Sequence, residues 1–298
     1  MRIGLYGTGQ TGLDGIVGDI AEAEKLGLAS AFLPQLTAWD ALTVAALAGQ
    51  RVPRIGLGTA VVRTYAQHPL ALAGQALTVQ AATGGRLTLG VGPSHREVVE
   101  GVYGLSFDRP ARHVREYLQA LVPLLRGETV EFRGETLSVS GTVEVPGAEP
   151  PSVLVSALGP VMLGIAGELA DGTVTVWAGP EVLGEQVVPK ITDAASRAGR
   201  PAPRVVAAAM LSVTAVPDRV RDDIRARFGA AGEFASYRRL LRQQGKSGLE
   251  ETVTAGDEDL VAATVRGFGE AGVTDLLVSP VGTDEERRRT LEFVAGLA

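Results

Sequence analysis

The sequence predicts an α/β chain folded as a (βα)₈ TIM barrel with a β-hairpin inserted between the fourth helix and the fifth strand. Three observations predict it. Short β-branched runs alternate eight times with long Ala- and Leu-rich stretches of helical period. The runs from Arg86 to Val91 and from Ser152 to Val155 are apolar almost throughout, as strands covered on both faces by helices are. Eight such units in 298 residues suit a closed barrel better than an open doubly wound sheet, so a single domain over 1–298 is expected.

In order, strands are expected to begin near Arg2, Ser30, Arg54, Arg86, Ser152, Thr173, Arg204 and Thr274. Helical period runs over Asp14–Leu26, Ala41–Gln50, Leu70–Ala82, Pro110–Leu125, Val161–Leu169 and Glu181–Ala198. It continues through an Arg-rich region from Pro217 and closes with Asp284–Leu297. Glu128–Val145 breaks the rhythm. Thr129–Phe132 and Thr136–Val139 alternate with period two around Arg133-Gly134-Glu135, the pattern of a hairpin. Gly245–Asp257 has neither period and is expected to be irregular and mobile.

With 45% hydrophobic and 21% charged residues, the composition is that of a globular chain. No stretch approaches the roughly 20 apolar residues of a membrane span. The segment Met1–Gly7 has the pattern of a strand rather than a signal peptide, so a cytoplasmic location is expected. Zero cysteine excludes disulfides, thiolate nucleophiles and sulfur-ligated metals. His68, His95 and His113 lack metal-ligand spacing, so no metal site is expected. A net charge of −6 opposes binding to a nucleic-acid polyanion, and Arg238, Arg239 and Arg242 are assigned to a solvated helix face.

Gly7-Thr8-Gly9-Gln10-Thr11-Gly12 fits a dinucleotide fingerprint after a strand. The carboxylate that should follow at the end of the second strand is missing, however: Leu33, Pro34, Gln35 and Leu36 stand there. The glycines are therefore read as a mobile first βα loop.

Barrel active sites lie at the C-terminal strand ends. These ends carry Tyr6; Gln35 with Trp39; Thr59, Ala60, Val61 and Arg63; His95; Ala157-Leu158-Gly159-Pro160; and Trp177. They offer no lysine, paired carboxylates or metal cluster, so a cofactor must bring the reactive chemistry. The run from Ser156 to Pro160 enters a helix through small residues. It is either an anion site built on free N–H groups and the helix dipole or a tight turn without a ligand. His95 is either a proton donor at the mouth or a polar loop residue. His68 and His113 are assigned structural or surface roles. Trp39 and Trp177 either wall a planar ring or pack.

The chain resembles the bacterial luciferase-like superfamily, and within it the branch that uses the deazaflavin coenzyme F420. The resemblance rests on Ile55–Val61 followed by Tyr65 and His68-Pro69-Leu70, on Gly84–Gly92, and on Ala157–Met162 running on to Ala166–Gly172. It implies a homodimeric barrel with the tricyclic ring in its mouth against Gln35, Thr59, Ala60 and Val61, and a non-prolyl cis peptide at Ala60–Val61. It further implies a phosphate on Ala157, Leu158, Gly159, Pro160, Val161 and Met162, and a substrate pocket at Tyr6, Trp39, Arg63 and Trp177. His95 takes the place where such relatives carry an acid after the fourth strand.

One departure bears on the reaction. Alcohol-oxidising relatives carry a histidine after the second strand, where this chain has Gln35 and Leu36. The resemblance therefore implies hydride delivery from reduced deazaflavin to an activated C=C or C=N bond, with His95 or solvent as proton donor. Substrates in such relatives include pterins and dehydroamino acids of modified peptides. The alternatives are a monooxygenase using reduced flavin mononucleotide (FMN) and a non-catalytic flavin-binding relative. The scarcity of lysine (Lys25, Lys190 and Lys246 only) points to a GC-rich genome and agrees with a deazaflavin-making bacterium.

Overall fold

The computed structural model describes residues 1–7 and 12–297. Most of the Gly7–Gly12 motif thus lies outside the described residues. The barrel strands are β1 Arg2–Tyr6, β2 Ser30–Leu33, β3 Gly56–Thr59, β4 Leu87–Gly92, β5 Ser152–Val155, β6 Gly172–Val176, β7 Arg204–Val213 and β8 Asp275–Pro280. All neighbours pair in parallel in chain order, and β8 pairs with β1, which closes the ring. Each strand begins within two residues of its expected start. Proline opens several helices, at Pro69, Pro110, Pro160 and Pro217, where its missing N–H leaves no bond unmade.

The hairpin falls where expected, as Val130–Arg133 antiparallel to Ser138–Gly141. It is fastened to the helix Pro110–Leu125 by Glu116, which accepts from the backbone N–H groups of Glu135 and Thr136 at 3.0 and 2.8 Å. His68 caps the helix Pro69–Ala82 and bonds Ser138 O at 3.0 Å, so it has a structural role. The described residues contain no helix long and apolar enough to cross a membrane.

Three features differ from the pattern read in the sequence. A short helix, Arg96–Gly101, follows β4. The stretch Glu181–Ala198 is not one α-helix: a π-turn at Leu183–Val187 precedes Val188–Arg197, because Pro189 supplies no N–H to the preceding turn. The irregularity expected for Gly245–Asp257 is corrected in part. A 3₁₀ turn at Leu249–Thr252 leads into the strand Thr254–Gly256, which pairs with Leu211–Val213. The reason is that β7, ten residues long, outruns its barrel neighbours and offers a free edge.

Inside the barrel, Phe32, Leu154, Val174, Val206 and Leu277 fill the centre. Below them Arg204 donates to Asp275 at 3.1 Å and Arg2 reaches the same carboxylate. Burial would raise the Asp275 carboxyl, but a hydrogen bond from Thr274 and the two arginines outweigh it and hold it below the usual range.

His113, beside the barrel, is buried rather than on the surface. Its Nε2 is 3.1 Å from Thr64 Oγ1 and its ring stacks on Tyr65 at 3.9 Å. Burial, against the opposing charge of Glu116, pushes the imidazole down to about 4 from 6.5. Between those values the unfolded chain binds the proton that the folded chain refuses, so stability falls as the pH drops from 6.5 towards 4. Thermal melts of His113→Gln should show a flatter pH dependence over that window; an unchanged slope would assign the acid lability elsewhere.

Candidate active site

The mouth is shaped by one extra residue in β3. Gly58 pairs with Thr88, an offset of 30, and Val62 pairs with Val91, an offset of 29, so Thr59–Val61 form a bulge. The hydroxyl of Thr59 replaces the lost ladder: it donates to Gly90 O at 2.8 Å and accepts from Gly90 N at 2.9 Å. Thr59 is wholly buried, so its side chain holds the bulge and does not face the mouth. The Ala60–Val61 peptide is cis. Two glycines of β4 make room for it. A Cβ on Gly90 would sit 2.0 Å from Thr59 O, and one on Gly92 3.0 Å from Val61 Cγ2.

Around this bulge stand several groups with unused hydrogen-bonding capacity. Tyr6 reaches Ala60 O at 3.4 Å, and burial, with the nearby Tyr237, pushes its phenol well up, so it stays a neutral donor. Gln35, at the end of β2, has a buried Oε1 without a partner among the described residues. Ser279 on β8, 2% exposed, likewise has an unpartnered Oγ. A cavity of about 370 Å³ opens beside Tyr6, Val176, Ala208, Met210 and Ser279 and includes Lys246 at its rim. Trp177 also lines it. That residue is buried, takes a left-handed backbone (φ 68°) and packs edge-on to Phe228 at 5.5 Å. Gln244 fixes the turn by donating to Trp177 O at 3.0 Å and accepting from Gly179 N at 2.7 Å. Trp39 is 39% exposed on the loop after β2 and packs against no other aromatic ring among those described.

After β5 the chain turns through Ala157, Leu158 and Gly159 into the helix Pro160–Leu169, whose N-cap, Gly159, leaves the first amides uncapped by any side chain. Ala157 is buried and Val161 is 64% exposed. A second positive group stands here: Arg239 Nη1 is 4.0 Å from the point a Gly159 Cβ would occupy. Helix dipole, free amides and guanidinium are the features that can attract an anion.

Arg239 belongs to the helix Ala235–Gln243, which arches over the mouth from the segment between β7 and β8. The same helix fixes His95. Ser236 Oγ lies 2.9 Å from His95 Nδ1, and the rings of Phe234 and Tyr237 are each 4.7 Å from the imidazole. Nε2 has no partner among the described residues. Burial and the Arg63 charge lower the His95 pKa, with Glu97 opposing. Arg63, two residues past the bulge, donates from Nη1 to Tyr103 Oη at 2.7 Å.

The site is thus a parallel βα barrel mouth with a bulge in β3 and an uncapped helix start after β5. The chain belongs to the luciferase-like monooxygenase family, whose model matches residues 2–294. A curated relative is the 5,10-methylenetetrahydromethanopterin reductase of Methanopyrus kandleri, 28% identical with 82% of each chain covered. Among solved structures, an F420-dependent secondary alcohol dehydrogenase in complex with an F420–acetone adduct superimposes with a TM-score of 0.85 at 17% identity, over 100% of this chain and 98% of that one. The oxygenating constituent of 3,6-diketocamphane monooxygenase from Pseudomonas putida, in complex with FMN, superimposes with a TM-score of 0.76 at 16% identity, over 99% and 96%.

Of the residues singled out in the sequence, Thr59, Ala60 and Val61 form the bulge, Tyr6 reaches Ala60, Arg63 follows the bulge and its charge acts on His95, and Trp177 lines the cavity. Ser236, Tyr237, Tyr103 and Ser279 escaped notice, and Arg239, assigned to a solvated helix face, stands near Gly159. Tyr237 could have been found from the buried pair Leu240 and Leu241, which fixes the inner face of its helix.

Proposed function

We propose that the chain is a cytoplasmic coenzyme F420-dependent oxidoreductase that reduces an activated C=C or C=N bond of a small molecule or modified peptide. Support comes from two features: a buried, unpartnered acceptor at Gln35, and the uncapped helix start at Gly159 with Arg239 beside it. These groups fit a polar tricyclic ring with a phosphorylated side chain. Gln35 Oε1 would accept from a ring N–H, Ala60 and Val61 would back the ring, and the backbone N–H groups of Leu158, Gly159, Val161 and Met162 with Arg239 would hold the phosphate. Bound in its reduced form, the deazaflavin supplies the hydride. His95 Nε2 would give the proton to the other end of the reduced bond, while Tyr6, Trp39, Arg63 and Trp177 position the substrate. The family resemblance also makes a homodimer the expected working unit, which light scattering tests.

Fluorescence titration with oxidised F420 and, in parallel, FMN tests the reading. Micromolar F420 binding without FMN binding is expected. The reverse would favour the monooxygenase reading, to which the FMN-bound structural relative gives support, and F420 binding without hydride exchange would leave a silent relative. Within the reading, Arg239→Ala should weaken F420 about tenfold, the value of one charge-assisted contact. The deazariboflavin core without its phosphate should bind both forms alike; an equal loss for both ligands would remove Arg239 from the phosphate site.

A further inference from the structure

Two other shielded arginines of this fold each have several partners. Arg86 donates to the carbonyls of Gly49, Val52, Ile55 and Thr83, and Arg204 pairs with Asp275. Arg63 is different. It is only 9% exposed, yet among the described residues its sole hydrogen bond goes to the neutral Tyr103 hydroxyl, and it forms no ion pair. Its guanidinium carbon lies 5.6 Å from the Tyr103 ring centroid. Its remaining N–H groups are not sealed in the core, so they are free to take an anion.

Those donors face the mouth. Val62 is wholly buried in the outer core, and the next residue of the extended pair Val62–Arg63 points the opposite way. The Arg63 charge is also felt by His95. Tyr103 Oη accepts from Arg63 and so has its own proton free to donate. A planar fork of N–H groups beside a free O–H matches a carboxylate.

We propose that Arg63 and Tyr103 form a receptor for a substrate carboxylate, so that the enzyme acts on unsaturated carboxylic acids rather than on neutral enones or internal residues of peptides. This rests on the reductase reading above. The alternative source of the same oxyanion is the cofactor's own phosphate or glutamate tail, and the test separates the two.

Calorimetric titration of benzoate and benzamide into wild type, Arg63→Gln and Tyr103→Phe provides the probe, with F420 and its phosphate-free core titrated in parallel. Benzoate should bind wild type about tenfold tighter than benzamide. That preference should vanish in Arg63→Gln, shrink in Tyr103→Phe and persist in part in Arg63→Lys, with the affinity for F420 unchanged. Equal binding of the two probes to wild type, or a preference surviving in Arg63→Gln, overturns the proposal. Loss of F420 affinity in Arg63→Gln with the core unaffected also overturns it, giving the site to the cofactor tail. Failure of wild type to bind F420 or its core, with the benzoate preference intact, would instead strike the cofactor reading alone.

Discussion

His95→Ala should lower kcat by roughly 10²-fold, the lower range for a lost proton donor, while F420 affinity stays within about twofold of wild type. The reasoning is geometric. Ser236 and two aromatic rings lock the imidazole by its Nδ1 edge and leave Nε2 unpaired, beside an arginine that itself flanks the bulge. Because burial and Arg63 depress its pKa below 6.5, the imidazolium becomes abundant only on the acid side of that value. Wild-type kcat/KM should therefore rise as the pH falls below 6.5, and the rise should be absent from His95→Ala. Unchanged turnover at saturating substrate would remove His95 from the mechanism, and a matching loss of F420 binding would make it a cofactor ligand.

Gly90→Ala should be among the most damaging single methyls in the barrel. The added Cβ would meet a backbone oxygen, Thr59 O, at 2.0 Å, and would break the paired bonds by which Thr59 closes the ladder. Neither the strand nor the bulge can move without unpairing a neighbour, so the cost is about 4 kcal/mol, at the severe end for point changes. A melting temperature lower by on the order of 10 °C follows. Gly101→Ala, at a helix position with nothing within 4 Å of the new Cβ, is the control and should melt within about 3 °C of wild type. Equal melting of the two variants would mean that the bulge relaxes more freely than its packing implies.

Strands were legible in the sequence because each lies between helices and is apolar on both faces; β4 and β5 needed no partner information to be found. The strand ends followed from them, and so did Tyr6, Arg63 and His95. What was illegible was set by distance along the chain. Ser236 meets His95 from 141 residues away, and Arg239 nears Gly159 from the far side of two strands. Their helix is strongly charged on its outer face, so composition alone assigned it to solvent. Thr59 has a structural role that its position at a strand end did not announce: its hydroxyl satisfies the amide and carbonyl of Gly90 beside the extra residue in β3.

The excursion between β7 and β8 leaves the sheet at Val213 and returns beside it, with Gly256 paired to that same residue. Its two ends are thus adjacent before any of its helices form, and the closure entropy of so long a detour scarcely grows when residues are added or removed within it. The segment from Thr214 to Val253 is therefore a roof whose length the register of the ring beneath does not fix, although Ser236, Tyr237 and Arg239 tie it to His95 and Gly159.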